Sequence, residues 1–177
     1  ILLYTSSTYM NVVCKTVLNL PDFKVLAINA AVLSLWVCLS PLMGYFSDKL
    51  GIERLMGASA LLAGGVAYPL FFFLEHHLNL EGLIIFQLIF ITIGTGFVAP
   101  ISGLFVTLFP VKNRYSGVAF SITLGQAIFG GTTPLVATFL TSFTGNFKAP
   151  AFFVMFGAVI GCMGLFRMKR LLGGNYQ

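Results

Sequence analysis

Charge is what this 177-residue sequence has least of: 8% of its residues are Asp, Glu, Lys or Arg, where a soluble domain carries about 25%. Apart from Arg167, no Asp, Glu, Lys, Arg or His falls inside any of its long apolar runs. A membrane enzyme is thereby disfavoured, because no His, acid or metal-ligating cluster lies at membrane depth. Cysteine is scarce as well. Cys14, Cys38 and Cys162 show neither metal-ligand spacing nor a disulfide framework, and each reads as a small apolar packing residue. The only histidines, His76 and His77, sit together in a short loop and read as a solvated turn. No metal site is expected. The ten-residue alternation of an outer-membrane barrel is also missing.

What the sequence has in abundance is apolar length. Hydrophobic residues make up 58% of it and mean hydropathy is +0.95. Crossing about 30 Å of hydrocarbon at 1.5 Å per residue takes about 20 apolar residues. Five runs meet that length, at 25–46, 55–74, 83–108, 116–141 and 151–168, and a sixth, 1–13, is apolar and aromatic but too short. The expected fold is an all-α polytopic membrane protein, one transmembrane bundle over residues 1–177. The sequence opens on Ile1 without a charged leader. The short first run therefore reads as a truncated helix, and the chain as part of a longer one.

Charge asymmetry orients the spans. Lys49, Arg54, Lys112, Arg114, Arg167, Lys169 and Arg170 fall on one side, and Lys15, Lys24 and Lys148 on the other. Basic residues in short loops stay in the cytoplasm, so the bias of seven to three places the 44–54 loop, the 110–115 loop and the C-terminal tail there. The net charge of +5 restates this asymmetry. Anionic lipid is a sufficient partner for it, and no nucleic acid need be invoked.

The spans differ in polarity. Runs 55–74 and 151–168 carry almost no hydrogen-bonding side chains and read as facing lipid or other apolar helices. Run 116–141 carries a stripe at spacings of three and four: Ser116, Ala119, Thr123, Gln126, Gly130, Thr133 and Ala137. Run 83–108 offers Thr92, Thr95, Ala99 and Ser102, run 25–46 offers Asn29, Trp36 and Ser40, and the first run adds Tyr4, Thr8, Tyr9 and Asn11. Ser and Thr in membrane helices often bond their own backbone. The amides of Gln126 and Asn29 are costlier in hydrocarbon and must meet another helix or a wet cavity.

Helix breaks point to the same stripe. Pro134 follows Gly130-Gly131-Thr132-Thr133, Pro100 follows Gly94-Thr95-Gly96, and Pro41 lies low in its span. A proline frees a carbonyl and costs about 3 kcal/mol in a helix interior. Membrane bundles tolerate that where a side chain, water or a neighbour satisfies the group. Broken helices near mid-membrane are also where transporters place their substrate. Gln126 and Thr133 are accordingly expected either to face a cavity beside carbonyls bared at Pro134, with Trp36 and Tyr9 as aromatic faces for a quaternary ammonium, or to pack with their stripe against a neighbouring helix.

Between the first two full spans lies Gly44-Tyr45-Phe46-Ser47-Asp48-Lys49-Leu50-Gly51. This segment, together with Phe109-Pro110, Arg114-Tyr115-Ser116-Gly117, Thr133-Pro134-Leu135 and the opening Thr8-Tyr9-Met10, resembles the C-terminal half of the metabolite:proton symporters. These are the proline/betaine-type branch of the major facilitator superfamily. The resemblance covers the whole chain, as helices seven (partial) to twelve of a twelve-helix transporter. It implies a partner half of six helices, alternating access, and symport of a small zwitterionic or carboxylated solute. The proton gradient is the energy source and no bound cofactor is implied. It also implies a cytoplasmic gate in which Asp48, between Gly44 and Gly51 and beside Lys49, Arg54 and Arg114, docks on a helix of the other half. The family loop continues with two basic residues after its second glycine, where this chain has Ile52 and Glu53 before Arg54. No proton site is available in these apolar runs, so it lies in the other half or is absent. Two further classes fit the residues. One is a stand-alone oligomeric membrane protein joined through Gly157-xxx-Gly161, the other an inactive remnant.

The orientation is directly testable. Single cysteines replacing Lys49 and Lys148, in an otherwise cysteine-free full-length protein in the cell membrane, are expected to react with an impermeant thiol reagent from opposite sides. Labelling of both from one side would refute the seven-to-three reading.

Overall fold

The computed structural model describes residues 1–108 and 111–173, with side chains described up to Met168 except those of Val106 and Thr107. Phe109 and Pro110, which carry part of the resemblance, and the tail 174–177 lie outside the described residues, as do the side chains of Lys169 and Arg170. Nearly everything described is helix, and there is no strand among the described residues. The first run forms α1 (Leu2–Tyr4), a widened π-type turn over Thr5–Tyr9, and α2 (Met10–Thr16). There follow α3 (Asp22–Leu50), α4 (Ile52–His76), α5 (Leu80–Val98), α6 (Ile101–Leu108), a 3₁₀ turn (Val111–Asn113), α7 (Arg114–Gly125), a second widened turn (Gln126–Gly130), α8 (Thr133–Thr144) and α9 (Ala149–Gly173). Among the described residues, five segments are long and apolar enough to cross a membrane: Asp22–Leu50, Ile52–His76, Leu80–Phe105, Val111–Thr144 and Ala149–Met168. The chain is thus an all-α polytopic membrane protein.

The helices outrun the apolar runs that announce them. Where a loop over 44–54 is expected, α3 continues to Leu50 and α4 starts at Ile52, leaving Gly51 as the whole connection. Gly51 holds φ +91°, a conformation that a side chain would strain, and the Gly51 amide closes the α3 C-terminus on the Ser47 carbonyl at 2.9 Å. Pro41 and Pro69 sit within continuous helices. Pro100 instead marks the α5/α6 junction, and the Thr133–Pro134 pair opens α8, where a missing N–H is tolerated.

Packing is uneven along the bundle. At the end carrying the α2–α3, α4–α5 and α8–α9 turns, Tyr9, Met10, Cys14, Val25, Phe71, Leu74, Leu83, Phe86, Phe90 and Ala151 belong to one buried cluster. Phe71 is its hub, edge-on to Phe86 (5.0 Å between centroids) and to Phe90 (6.1 Å). Aromatic pairs of this geometry contribute about 0.5–1.5 kcal/mol beyond the area they bury. Two ion pairs rim this end, Lys15–Asp22 at 2.7 Å and Lys148–Glu75 at 2.9 Å. The hydrogen bond that the Lys148 ammonium donates to Glu75 holds it above the ordinary lysine value of 10.5, against a smaller opposing effect of burial. A raised folded-state value means that the bridge contributes fully below the ordinary value and is lost as pH climbs through the raised one. The Gly51 end has only a small cluster of Met56, Leu104 and Met168.

The two apolar helices α4 and α9 pack closely along each other, with Gly64 facing Ala158. Gly157 faces Ile1 and Gly161 faces the Phe97 ring, so this glycine pair makes contacts within the chain. The least covered spans are Asp22–Leu50 and Val111–Thr144, with 11% and 17% of their most apolar windows buried, against 50% for Leu80–Phe105. Two of the three polar helices therefore lie at the surface of the bundle.

Candidate functional site

Between the two packed clusters lies a cavity of about 540 Å³, within the range of small-molecule sites. Tyr4, Trp36 of α3, and Gln126 with Phe129 of the second widened turn line it. Phe97 and Ser121 line it too, as do the small residues Ala60, Ala63, Gly157 and Gly161. The lining is chiefly apolar, with an amide, a phenol, an indole and hydroxyls as its polar groups.

The second widened turn explains how Gln126 comes to be there. The Gly131 amide donates to the Gln126 carbonyl at 2.8 Å, five residues back, and such π-type turns are often found at functional sites. Gln126 is itself exposed. Gly130, at the end of the turn, lies against Tyr4: a Cβ there would sit 2.6 Å from the Tyr4 ring. Only glycine allows this approach, and through it two interrupted helices meet beside the cavity.

Of the carbonyls just before the Pro134 break, those of Ile128 and Phe129 accept from threonine hydroxyls, Thr132 Oγ1 and Thr133 Oγ1 respectively. Thr133 is fully buried and does not line the cavity. Thr92 and Thr95 likewise donate to Leu88 and Ile91, Thr95 from a fully buried position. Thr123 is exposed on α7. Tyr9 is buried, its hydroxyl 3.0 Å from Thr141 Oγ1 and its ring 6.5 Å from that of Phe71, inside the aromatic cluster. Of the residues expected along a pathway, the structure brings Gln126 and Trp36 to the cavity, while Thr133, Thr95 and Tyr9 are built into the packing. Gly131 is exposed beside it, and a Cβ there would press on the Ala127 carbonyl at 3.3 Å.

Among the described residues three polar groups on α3 stay unpaired: Asn29 Oδ1, Trp36 Nε1 and Ser47 Oγ are covered and have no hydrogen-bond partner. The charged residues expected at the gate lie toward the Gly51 end. Asp48 is exposed in the last turn of α3, with Gly44 one turn before it and Lys49 stacked over the Tyr45 ring at 4.6 Å. Arg54 lies in the first turn of α4 and Arg114 opens α7. A carboxylate at a helix C-terminus faces the negative end of its own dipole, so α3 itself gives Asp48 no stabilisation.

One fully buried amide escapes the polar rows of the sequence. Gln87 of α5 is 0% exposed and donates through Nε2 to the Ser6 carbonyl at 3.1 Å, while its Oε1 has no partner. Its signal was the same as that of Gln126, an amide in an uninterrupted apolar run. It lies off the Thr92–Ser102 row and so was not gathered with it.

No protein-family model and no solved structure matches the chain significantly. Curated relatives do. The ectoine/proline transporter ProP of Corynebacterium glutamicum is 29% identical over 176 residues, covering 96% of this chain and 34% of the relative. A protein provisionally named a proline/betaine transporter in Staphylococcus aureus (strain N315) is 28% identical over 160 residues, 89% of this chain and 34% of its own. The citrate-proton symporter of Klebsiella pneumoniae is 26% identical over 126 residues, 70% of this chain and 28% of its own. The resemblance read from the residues is borne out: the chain is similar to a fragment of the metabolite:proton symporters of the major facilitator superfamily. It spans about a third of the length of the relatives it matches.

Accessibility separates Gln126 from Thr133. In an otherwise cysteine-free full-length protein, Gln126→Cys is expected to react readily with a small thiol reagent and Thr133→Cys to resist it. Equal reactivity would contradict the placement of the second widened turn.

Proposed function

We propose that the chain forms the C-terminal six-helix half of a secondary active transporter, which moves a small zwitterionic or carboxylated solute together with protons across the cell membrane. The observation that carries this reading is the cavity lined by Gln126, Trp36 and Tyr4, in a chain whose relatives bear the names of proline, ectoine, betaine and citrate transporters. Gln126 offers an amide donor and acceptor to the solute, the Trp36 and Tyr4 rings cover its apolar part, and the apolar wall restricts its size. Substrate and transition states for passage need only modest binding, as a site must release what it takes up.

The other half is a six-helix bundle that precedes this one. It meets the thinly covered polar helices α3 and α7, as a surface amide such as Gln126 requires in a membrane. We place the proton-binding group in that half, since the long apolar runs of this chain hold no carboxylate or histidine. Our reading places the protein in the inner membrane with the Gly51 turn and the C-terminus in the cytoplasm, from the bias of basic residues. Asp48 then projects from the cytoplasmic end of α3, and the positive N-terminus of a helix in the other half is its natural partner, worth about 0.3–1 kcal/mol exposed and up to about 2 when partly buried. Gly44, Lys49, Gly51, Arg54 and Arg114 frame that contact.

Transport kinetics in the full-length protein test both parts. With a solute of the proline or betaine type, Gln126→Ala is expected to raise KM about tenfold or to abolish uptake, the loss of about 1.4 kcal/mol of solute binding. Asp48→Asn is expected to slow turnover at unchanged expression. Unaltered kinetics in Gln126→Ala would remove the cavity from the pathway, and unaltered turnover in Asp48→Asn would leave Asp48 a solvated helix-end residue.

A further inference from the structure

Gln87 is placed where a packing residue would ordinarily be apolar. It is fully buried in α5, yet its one hydrogen bond runs to the Ser6 carbonyl, 81 residues away in the first helix. The receiving segment is the widened turn Thr5–Tyr9, where the Met10 amide donates to the Thr5 carbonyl, five residues back. Immediately before this turn is Tyr4, whose ring rests on Gly130 at the cavity. At its far end is Tyr9, tied to Thr141 of α8 at 3.0 Å. The turn is therefore held from α5 at Ser6 and from α8 at Tyr9.

A widened turn holds one residue more than a regular one. Were it to relax to α-helix, everything before it would rotate by about 100° relative to everything after it. Tyr4 would then leave Gly130 and the cavity wall. The surroundings of Gln87 are also incompletely satisfied: its own Oε1, Thr5 Oγ1 and Ser6 Oγ are buried and without a partner. Buried polar groups in a settled core are nearly always paired. An amide retained in such a place is poorly explained by packing, for which a leucine of similar volume would serve.

We propose that Gln87 is a positioning residue for the cavity: by holding the Ser6 carbonyl it keeps the first helix in its widened turn, and so sets the Tyr4 ring against Gly130, where it bounds the solute. The role in solute affinity rests on the cavity reading given above. The role in placing Tyr4 does not.

The test uses the full-length transporter and two readouts, the solute KM and the rate at which Tyr4→Cys reacts with a small thiol reagent. Gln87→Leu is expected to raise KM about threefold, the equivalent of one interhelical hydrogen bond of about 0.6 kcal/mol, with Vmax per transporter unchanged. It is also expected to alter the Tyr4→Cys reaction rate. Gln87→Glu, whose neutral carboxyl can donate to the Ser6 carbonyl and whose carboxylate cannot, is expected to match the parent at acidic pH and to approach Gln87→Leu as pH rises, each compared with the parent at the same pH. An unchanged Tyr4→Cys rate in an assembled Gln87→Leu protein would overturn the proposal. If Gln87→Leu does not assemble, Gln87→Glu decides alone, and a Tyr4→Cys rate that follows the parent at every pH overturns it. An altered Tyr4→Cys rate with unaltered KM would keep the positioning role and count against the cavity as the solute site.

Discussion

Inside a bilayer no water is available to take a hydrogen bond, so every backbone carbonyl freed by a break in a helix must find a partner within the protein. Much of this bundle follows from that constraint. The hydroxyls of Thr92, Thr95, Thr132, Thr133, Thr138 and Thr141 all turn back on carbonyls of their own helices. Those of Ser7, Ser34 and Ser40 do the same. Local back-bonding of this kind satisfies the hydroxyl cheaply and bends the helix slightly. Side chains that are not spent this way are left to serve other ends. Gln126, Gln87, Asn29 and Trp36 carry amides and an indole that make no bond to their own helix among those described, and they mark the places where the bundle meets a cavity, another helix or a surface to be covered.

Packing divides the bundle into two unequal ends. Phe71, Phe86 and Phe90 lock one end into a dense cluster, with Tyr9 and Cys14 inside it and two ion pairs at its rim. At the other end the buried cluster is small, and a cavity remains between the two. The close turn at Gly51 holds α3 and α4 together there without filling that space. A bundle packed in this way has one end that resists change and one that can accommodate it. Elements that bind and move are drawn from the less stable parts of a structure.

Fold class was legible from composition and run length alone, because hydrocarbon imposes its own thickness on any helix that crosses it. Helix ends were less so. Gly44 to Arg54 reads as a loop for its glycines and charges, yet the helix continues through Asp48 and Lys49, since polar residues at a membrane helix end are solvated in either conformation. The stripe on 116–141 correctly picked out Gln126 at the cavity, whereas Thr133, two turns on, is buried against its own backbone. Regular spacing could not separate them, because the widened turn at 126–130 shifts the register between the two residues. Trp36 was visible as an aromatic among apolar neighbours. Gln87 and Tyr4 needed the three-dimensional arrangement, as what matters in each is a contact across helices: Ser6 for one, Gly130 for the other.

The central claim is that the space between Tyr4, Trp36 and Gln126 holds the transported solute. A cryo-electron microscopy structure of the full-length protein in lipid nanodiscs, with and without a proline- or betaine-type solute, tests it most directly. The account predicts solute-dependent density in contact with the Gln126 amide and flanked by the Trp36 and Tyr4 rings. Solute density elsewhere, with this cavity filled by protein or lipid in both states, would contradict it.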